Sequence, residues 1–366
     1  TANVPTAIPE GALAGVRVLD LTDGLGIYCG KLLADLGAEV VKVEPPGGHP
    51  GRRFGPFFQD LPGAERSLWW WWFNTSKRSI TLDIETPEGA GLLRRLVANA
   101  TVFLEDGTPG AMVRRGLGVD ALHGVNPALI YTSITPFGQT GPHAGYVASD
   151  LTAQAMGGLM YRVGWPEDPP NSFGGLQAYN QASAHGAIGT LLALYHRDLT
   201  GAGQQVDVSM QEAVAIVNYD AAPRWALQQQ VQRRQGPGVG STGLSGRRLW
   251  PCKEGQVRFQ VVGAPAYPEW PRLVGWLQEH GMAQDLAEER WANPFTRVEH
   301  LEHVEAVIER FFATMPARQA EGEGQAHRIM VMAFNTVKDL FDDPQLVSEG
   351  FFVDVAHPAV GAAVTY

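Results

Sequence analysis

Short apolar runs alternate with helical patterns along the first 200 residues of the chain. Leucine-rich and β-branched runs at residues 16–22 (VRVLDLT) and 38–44 (AEVVKVE) flank a glycine-bearing turn and a stretch with helical spacing. A strand, a helix and a strand within about 30 residues predict a βαβ unit, which normally builds a parallel sheet. Further strand-like runs lie at residues 79–84, 101–106 and 128–134. The pattern predicts an α/β fold, with an open parallel sheet in a Rossmann-like large domain.

The pattern changes near residue 230. Residues 230–246 are too glycine-rich to pack a core, which predicts a domain boundary or a mobile loop. Beyond them, residues 248–262 predict a hairpin with its turn at residues 253–255, and alternating helices follow. We predict the N-terminal part of the large domain over 1–225, a linker and a smaller α/β domain over 226–330, and a segment over 331–366 that returns towards the large domain.

Charge and composition exclude several classes of partner. The 366 residues carry a formal net charge of −10 and are 45% hydrophobic, so the chain can bury a large core but has no excess of basic groups for nucleic acid or anionic lipid. The two cysteines lie far apart, which predicts neither a disulfide framework nor a thiolate metal site. Without a signal-like N-terminus or a spanning apolar run, we expect a cytoplasmic protein with no membrane, nucleic-acid or metal partner.

The turn DGLGIYCG after the first strand invites a dinucleotide hypothesis, with Glu44 at the end of the second strand as the ribose-binding acid. The Rossmann fingerprint needs three glycines spaced G-x-G-x-x-G. Here Gly24 and Gly26 are followed by Cys29 at the third position, and Gly30 comes one residue late. A nicotinamide cofactor is therefore not expected.

Two basic turns follow predicted strands. Residues 74–80 (NTSKRSI) place two cations beside small hydroxyl residues, and residues 105–118 combine a Gly/Pro turn, a helix start and an arginine pair. Either turn alone fits a solvated basic surface equally well, but together they suggest a ligand with several phosphates. The aromatic run at residues 69–73 (WWWWF) favours a contact between subunits, with an acyl pocket or an adenine-stacking wall as alternatives.

The chain as a whole resembles a known family. The resemblance rests on these segments, in order: LAGVRVLDLT, CGKLLADLGAEVVKVEPPGG, NTSKRSITLDIETPEG, LEDGTPGAM, NPALIYTSITPFGQTGP, ALYHRDLTGAGQQVDVSMQEAV and DPQLVSEGFF. Together they strongly resemble the family III CoA-transferases, also called the CaiB/BaiF family. The resemblance implies a large Rossmann-like domain, a smaller domain on two linkers, and a homodimer of two interlocked rings. It also implies that coenzyme A, as acyl-CoA, binds along the carboxyl ends of the strands.

The resemblance carries binding residues over by position. Those expected near the CoA phosphates are Lys77, Arg78 and Arg114. Those expected along the nucleotide and pantetheine path are Asp23, Gly24, Leu25, Asp106 and Ala111.

The expected nucleophile is missing. Transferases of this family use an aspartate at the start of the helix that ends in an ALYHR-like segment, and its carboxylate attacks the acyl-CoA thioester. Counting back from ALYHR at residues 193–197 places Tyr179 there. A phenol with a pKa near 10 is mostly protonated at neutral pH and is a poor substitute nucleophile. It can still donate a hydrogen bond to a thioester oxyanion or an enolate.

Neighbouring polar residues are the remaining catalytic candidates. Asp150 matches an acid found widely in the family, and we expect it to be structural more often than catalytic. Asn180 is a candidate for polarising the thioester, and His185 is an outside candidate for general base. The family's racemases place a histidine where this chain has Ser149, so racemase chemistry is not supported residue by residue.

Three functions stay open on this basis. The first is transfer of CoA from an acyl-CoA to a carboxylic acid acceptor, by direct attack of the acceptor. The second keeps the fold and the thioester but is a lyase, hydratase or isomerase reaction through an enolate. The third is a catalytically silent acyl-CoA-binding scaffold. Only the first needs an acceptor acid.

Overall fold

A parallel six-stranded sheet forms the centre of the large part of the molecule. The computed structural model describes residues 11–234, 247–261 and 269–366. The strands are β1 (Arg17–Asp20), β2 (Glu39–Glu44), β3 (Lys77–Thr81), β4 (Val102–Glu105), β5 (Ile130–Thr135) and β6 (Gln204–Ser209). Their order is β3-β2-β1-β4-β5-β6, and every neighbouring pair is parallel. This is the doubly wound order of dinucleotide-binding folds, so the predicted α/β class is confirmed.

Helices cover both faces of this sheet. They are α1 (Ile27–Asp35), α2 (Leu68–Asn74), α3 (Pro87–Val97), α4 (Ala111–Arg114), α5 (Val119–His123), α6 (Asp150–Met156), α7 (Gln177–Thr200), α8 (Met210–Ala215) and α9 (Ala221–Gln228). One hydrophobic cluster joins α1, α6, α7 and α8 to one face of the sheet, and a second joins α3, α4 and α5 to the other. Strands β4 and β5 are buried along their whole length, as is typical of central strands in a parallel sheet that is covered on both faces.

Strand β3 begins two residues earlier than the predicted run at 79–84. Lys77 pairs with Val40 of β2, and the ladder continues to Thr81, opposite Glu44. The hydrophobic pattern did not reveal this start, because the first strand residues are basic. The predicted start of α3 is confirmed: Thr86 Oγ1 accepts a hydrogen bond from Gly89 N, and Pro87 occupies the first turn.

The described chain divides into two compact units. Of the described residues, those within 1–162, 171–232 and 356–364 belong to unit 1, and those within 163–170, 233–355 and 365–366 belong to unit 2. The predicted domain limits at 225 and 330 stay predictions. Of the predicted loop at 230–246, residues 235–246 lie outside the described residues.

Unit 2 has a core of its own. Strands β7 (Leu249–Pro251), β8 (Gln256–Arg258) and β9 (Met332–Ala333) form an antiparallel sheet, with the predicted hairpin joining β7 and β8. Its helices are α10 (Glu269–Glu279), α11 (Pro294–Glu299), α12 (Leu301–Phe312), α13 (Ala317–Ala326), α14 (Val337–Phe341) and α15 (Pro344–Ser348). A C-terminal hairpin of β10 (Asp354–His357) and β11 (Ala362–Thr365) follows.

The tryptophan run forms α2 and is mostly packed inside unit 1. Trp70, Trp71 and Phe73 are buried, and the ring of Trp71 stacks on His357 with 3.9 Å between centroids. Only Trp72 is half exposed. The subunit contact predicted for this run stays a prediction, and Trp72 is its most exposed ring.

Across the described residues, no helix combines the length and the apolar character needed to cross a bilayer.

Candidate functional site

The site begins where the strand order of the sheet reverses. Strands β1 and β4 are neighbours at this point, and ligands of open α/β sheets bind in the crevice outside the carboxyl ends of such strands. The turn at residues 23–26 follows β1, and Asp106 follows β4 directly. The sheet topology thus places two segments named from the sequence side by side.

Asp106 shapes the turn rather than presenting its carboxylate to the crevice. Its Oδ1 accepts a hydrogen bond from Asp23 N at 2.7 Å, and its Oδ2 accepts from Gly24 N at 3.1 Å and from Gly26 N at 2.9 Å. Burial raises the pKa of Asp106, although the backbone donors of Gly26 and Asp23 act to lower it. The carboxylate therefore holds the first turn in place, and a ligand there would meet the outside of that turn.

Tyr179 lies against the same turn. A Cβ added at Gly24 would lie 3.9 Å from Cε2 of Tyr179, so the ring reaches the turn that Asp106 holds. Tyr179 is half-buried, and its pKa is raised by burial and then by the charge of Asp150. Within the described part of the chain, the phenolic oxygen has no hydrogen-bond partner. The phenol is therefore protonated at neutral pH and available to donate.

Asp150 supplies the cap that α7 lacks locally. Leu176, at the N-cap, is in the left-handed region (φ 56°, ψ 46°) and makes no side-chain cap. Instead Asp150 Oδ1 accepts from Ala178 N at 2.8 Å and from Tyr179 N at 3.2 Å. A carboxylate at a helix N-terminus is favoured by the free N–H groups and the helix dipole. These contacts support a structural role for Asp150, and the catalytic role considered for it stays a prediction.

The other sequence candidates near α7 are also held by the backbone. Asn180 Nδ2 donates to Gly175 O at 2.9 Å, and His185 Nδ1 lies 2.9 Å from Gln181 O, one turn back in the helix. Ser149 caps α6, where its Oγ accepts from Thr152 N in a capping box. The structure thus brings Tyr179, Asp150 and the turn after β1 together. Ser149 instead caps the N-terminus of α6.

A groove lined by three arginines lies between the chain segments that follow β3 and β4. It has a volume of about 460 Å³ and runs between the loop before α3 and helix α4. Its lining includes Ala111, Arg94, Arg114 and Arg115. Arg94 donates to Gly116 O and Arg115 pairs with a glutamate, whereas Arg114 is exposed and makes no ion pair among the described residues. The groove therefore offers an uncompensated guanidinium on α4, the helix that follows β4.

The ammonium group of Lys77 does not line this groove. Its side chain is fully buried, and its ammonium lies 2.9 Å from Asp20 Oδ2 and 3.0 Å from Ile27 O. Lys42, also buried, lies 3.1 Å from Asp20 Oδ1. Burial acts to raise the pKa of Asp20, but the two ammonium groups outweigh it and hold the pKa well below its usual range. These contacts favour a structural role for Lys77, and its predicted phosphate contact stays a prediction without support here.

The remaining basic and acidic candidates lie elsewhere. The side chain of Arg78 is 81% exposed and lies 3.4 Å from Glu39 on the surface. Both oxygens of Glu44, the acid considered for ribose binding, contact Arg52 at 2.7 and 2.8 Å. Burial would raise the pKa of Glu44, but the hydrogen bonds from Arg52 and Ser79 lower it to about 2. Glu44 therefore anchors the loop after β2.

Sequence reasoning missed Gln154. This side chain is completely buried, and its Nε2 donates to Asp150 Oδ2 at 2.7 Å. A glutamine four residues after the acid, a spacing that places both side chains on one face of a helix, was the available signal. In the described ranges, no three His, Cys, Asp or Glu side chains form a group that could hold a metal ion.

Comparison with known proteins places the chain among CoA-transferases. A family model described as CoA-transferase family III matches residues 13–366. The chain is 33% identical over 354 residues to the succinyl-CoA:(R)-benzylsuccinate CoA-transferase subunit BbsE of Thauera aromatica, covering 96% of this chain and 85% of that protein. It is 33% identical over 355 residues to a succinyl-CoA–D-citramalate CoA-transferase of Chloroflexus aurantiacus, covering 96% and 86%.

The fold agrees with a solved relative. A CAIB/BAIF family protein from Brucella suis superposes with a TM-score of 0.81 at 29% identity, covering 94% of this chain and 89% of that one. The resemblance seen in the ordered sequence segments is thereby confirmed.

Proposed function

Because the chain belongs to CoA-transferase family III, we propose that it transfers CoA between an acyl-CoA and a carboxylic acid. The observation that carries the proposal is the arginine groove formed in part by α4, the helix that follows the switch-point strand β4. Coenzyme A has phosphates at one end and a thiol at the other. The groove suits the phosphate end, and we place the thioester at the first turn and Tyr179, which lie against each other.

Arg114 is the phosphate ligand that the surroundings support best. It lines the groove, is exposed and has no carboxylate partner in the described ranges, so its guanidinium is open to a bidentate phosphate contact. Ala111 lines the same groove with a small side chain. We place Gly24 and Leu25 along the path to the thioester. Lys77 is left out, because its ammonium is already paired inside the protein.

Replacing Arg114 by alanine is expected to weaken the binding of coenzyme A about ten- to a hundredfold, because a charge-assisted phosphate contact is lost. The measurement is isothermal titration at low salt, where screening is weakest. Arg95→Ala is the matched control, because Arg95 is an exposed arginine of α3 that does not line the groove. Equal affinities for wild type and Arg114→Ala would remove the groove from the CoA site.

Without an aspartate at position 179, we propose that the acceptor carboxylate attacks the thioester carbonyl itself. The C–S bond then breaks, giving a mixed anhydride and CoA thiolate. The thiolate next attacks the acceptor carbonyl of that anhydride, which yields the new acyl-CoA and the donor acid. Throughout, the Tyr179 hydroxyl donates to the oxyanion of each tetrahedral intermediate. Asn180, His185 and Asp150 stay proposals of lower rank, because backbone groups already engage them.

The proposed exchange is tested by incubating succinyl-CoA with and without a panel of carboxylic acids and detecting new thioesters by mass spectrometry. We expect new acyl-CoA only when an acceptor is present, and a loss of about tenfold or more in kcat for Tyr179→Phe, which removes one oxyanion donor. A change in the thioester without any acceptor would instead support the lyase, hydratase or isomerase alternative. A stable covalent acyl-enzyme would overturn direct attack.

A two-subunit transferase is a second candidate, favoured by one specific observation. The relative from Thauera aromatica is named a subunit of its transferase, and position 179 of this chain has a phenol in place of a carboxylate. In this version, a different chain of the same family supplies the acid. Activity that appears only after adding such a chain would favour it.

Self-association is part of the main proposal. Four residues of α7 spaced four, three and four apart form an exposed apolar stripe: Ile188 (54% exposed), Leu192 (65%), Tyr195 (67%) and Leu199 (70%). Such a stripe is typical of a helix that packs on a partner. The molecular mass of the purified protein in solution distinguishes a homodimer from a monomer that pairs only with a different chain.

A cytoplasmic location also stays a proposal, supported by two free cysteines.

A further inference from the structure

Three segments of unit 1 meet at one buried amide. Gln154, with no exposed surface, lies on α6, one turn after Asp150. Its Nε2 donates to Asp150 Oδ2 at 2.7 Å and to Phe173 O at 3.1 Å, while its Oε1 accepts from Phe173 N at 2.9 Å. One side chain therefore binds an acid that caps α7 and both backbone groups of a residue in the loop before α7.

The glycine-rich loop before α7 needs the hydrogen bonds that Gln154 makes to it. Phe173 is followed by two glycines, of which Gly175 has a φ of 80°, and then by Leu176 in the left-handed region. Glycine-rich backbone has many accessible conformations, so it does not by itself fix where a helix begins. The first turn of α7 has no local capping side chain, and its N–H groups at Ala178 and Tyr179 depend on Asp150.

We infer that Gln154 is a positioning residue for Tyr179: its amide orients the Asp150 carboxylate beneath the first turn of α7 and ties the preceding loop to the same point. The inference deepens the proposed function, because it assumes that the Tyr179 hydroxyl serves the thioester. Gln154 itself touches neither ligand nor reacting atoms. Its effect reaches the site through Asp150 and the helix start.

The first test replaces Gln154 by methionine, which keeps the length of the side chain but cannot hydrogen bond. With the helix start released, Tyr179 becomes more exposed to water, so its pKa, which burial raises, falls towards the ordinary value. Ultraviolet titration of the phenolate measures this, taken as the difference from the same variant carrying Tyr179→Phe. Binding of succinyl-CoA should weaken about tenfold, because small misplacements are enough for such a loss.

Gln211→Met is the matched control. Gln211 lies on the neighbouring helix α8, and its Nε2 holds a different backbone carbonyl, that of Met156, at 3.2 Å. The control should leave the titration of Tyr179 and the binding of succinyl-CoA unchanged. A general loss of stability would move the unfolding temperature of either variant, but only loss of positioning moves the phenol.

The second test is a rescue. Gln154→Glu places two carboxylates in contact, and Asp150→Asn places two amide donors in contact, so each single change should weaken succinyl-CoA binding. In the double variant, the new asparagine amide can donate to the new glutamate, while its oxygen still accepts from α7. We expect the double variant to bind at least about threefold better than the two single losses combined predict.

Two results would overturn the inference: strictly additive losses in that cycle, or an unchanged Tyr179 titration in a folded Gln154→Met variant. If Gln154→Met does not fold, the rescue cycle decides. If the wild type binds no succinyl-CoA, the proposed function fails, while the titration of Tyr179 still decides whether Gln154 positions it.

Discussion

Replacing Asp20 by asparagine should lower the free energy of unfolding by about 4 kcal/mol, because removing one partner of a buried ion pair leaves uncompensated charge in the interior. Asp20 is completely buried between Lys42 and Lys77, whose side chains are also buried. An asparagine would leave both ammonium groups without a carboxylate. Urea unfolding at neutral pH measures the loss.

The pH dependence of this variant supplies a second check. Burial lowers the pKa of Lys77 and Asp20 acts to raise it, so without this acid the Lys77 ammonium loses its proton more readily in the folded than in the unfolded protein. The unfolded state then binds more protons, so the stability of Asp20→Asn should rise with pH above neutrality relative to wild type. Lys77→Met is the matched control, because it leaves Asp20 and Lys42 as a neutral pair and fills the same volume. A loss below about 1 kcal/mol for Asp20→Asn would contradict the role given to this cluster.

The unfolding measurements on these variants also separate an effect on stability from an effect on ligand binding. Lys77 and Arg78 are neighbours in sequence, and both were expected near phosphates. Because Lys77 is paired inside the protein and Arg78 is exposed, a loss of CoA binding in a Lys77 variant would not by itself report a phosphate contact. The Arg114 variant avoids this ambiguity, because no described residue forms an ion pair with it.

As the pH rises, burial of Glu105 should lower the free energy of unfolding of the wild type by up to about 3 kcal/mol, since one pKa unit corresponds to about 1.4 kcal/mol. Replacing Glu105 by glutamine should remove this decrease. Glu105 lies at the end of β4 and is 3% exposed. Burial raises its pKa from 4.5 to about 7, and the nearby charges of Asp106 and Asp207 act in the same direction. Glutamine keeps an acceptor for Gly107 N, which donates to Glu105 Oε2 at 2.9 Å.

The sign of the effect follows from proton counts. Below pH 4.5 both folded and unfolded chains carry the proton on Glu105. Between pH 4.5 and about 7 the unfolded chain has lost it and the folded chain keeps it, so stability falls as the pH rises through this window and stays reduced above it. Stability should therefore fall from pH 4.5 to pH 8 in wild type more steeply than in Glu105→Gln.

Thermal or urea unfolding at a series of pH values measures both proteins. Glu88→Gln is the matched control, because Glu88 is an exposed glutamate in the same unit and its substitution should leave the slope unchanged. Parallel curves for wild type and Glu105→Gln would show that Glu105 titrates alike in the folded and unfolded chains.

The alternation of strands and helices in the large unit could be predicted from the amino-acid sequence, because apolar periodicity and turn residues are local properties. The sequence also identified the family, since the ordered motifs are written along the chain. It placed Asp150, Tyr179 and the first turn among the candidates. It could not tell what each side chain contacts.

Tertiary structure decided those contacts, because they join residues distant in sequence. Lys77, which the sequence places in a basic turn, forms a buried ion pair with Asp20. Most of the tryptophan run is buried in the core of unit 1. Gly30, which counts as a misplaced glycine in a dinucleotide fingerprint, is required for a different reason: a Cβ there would lie 2.3 Å from Asp20 Oδ2. Likewise, the N-terminus of α7 depends on an acid 28 residues away in sequence. Burial and long-range pairing, set only when the strands are assembled, decide which charges remain free for a ligand.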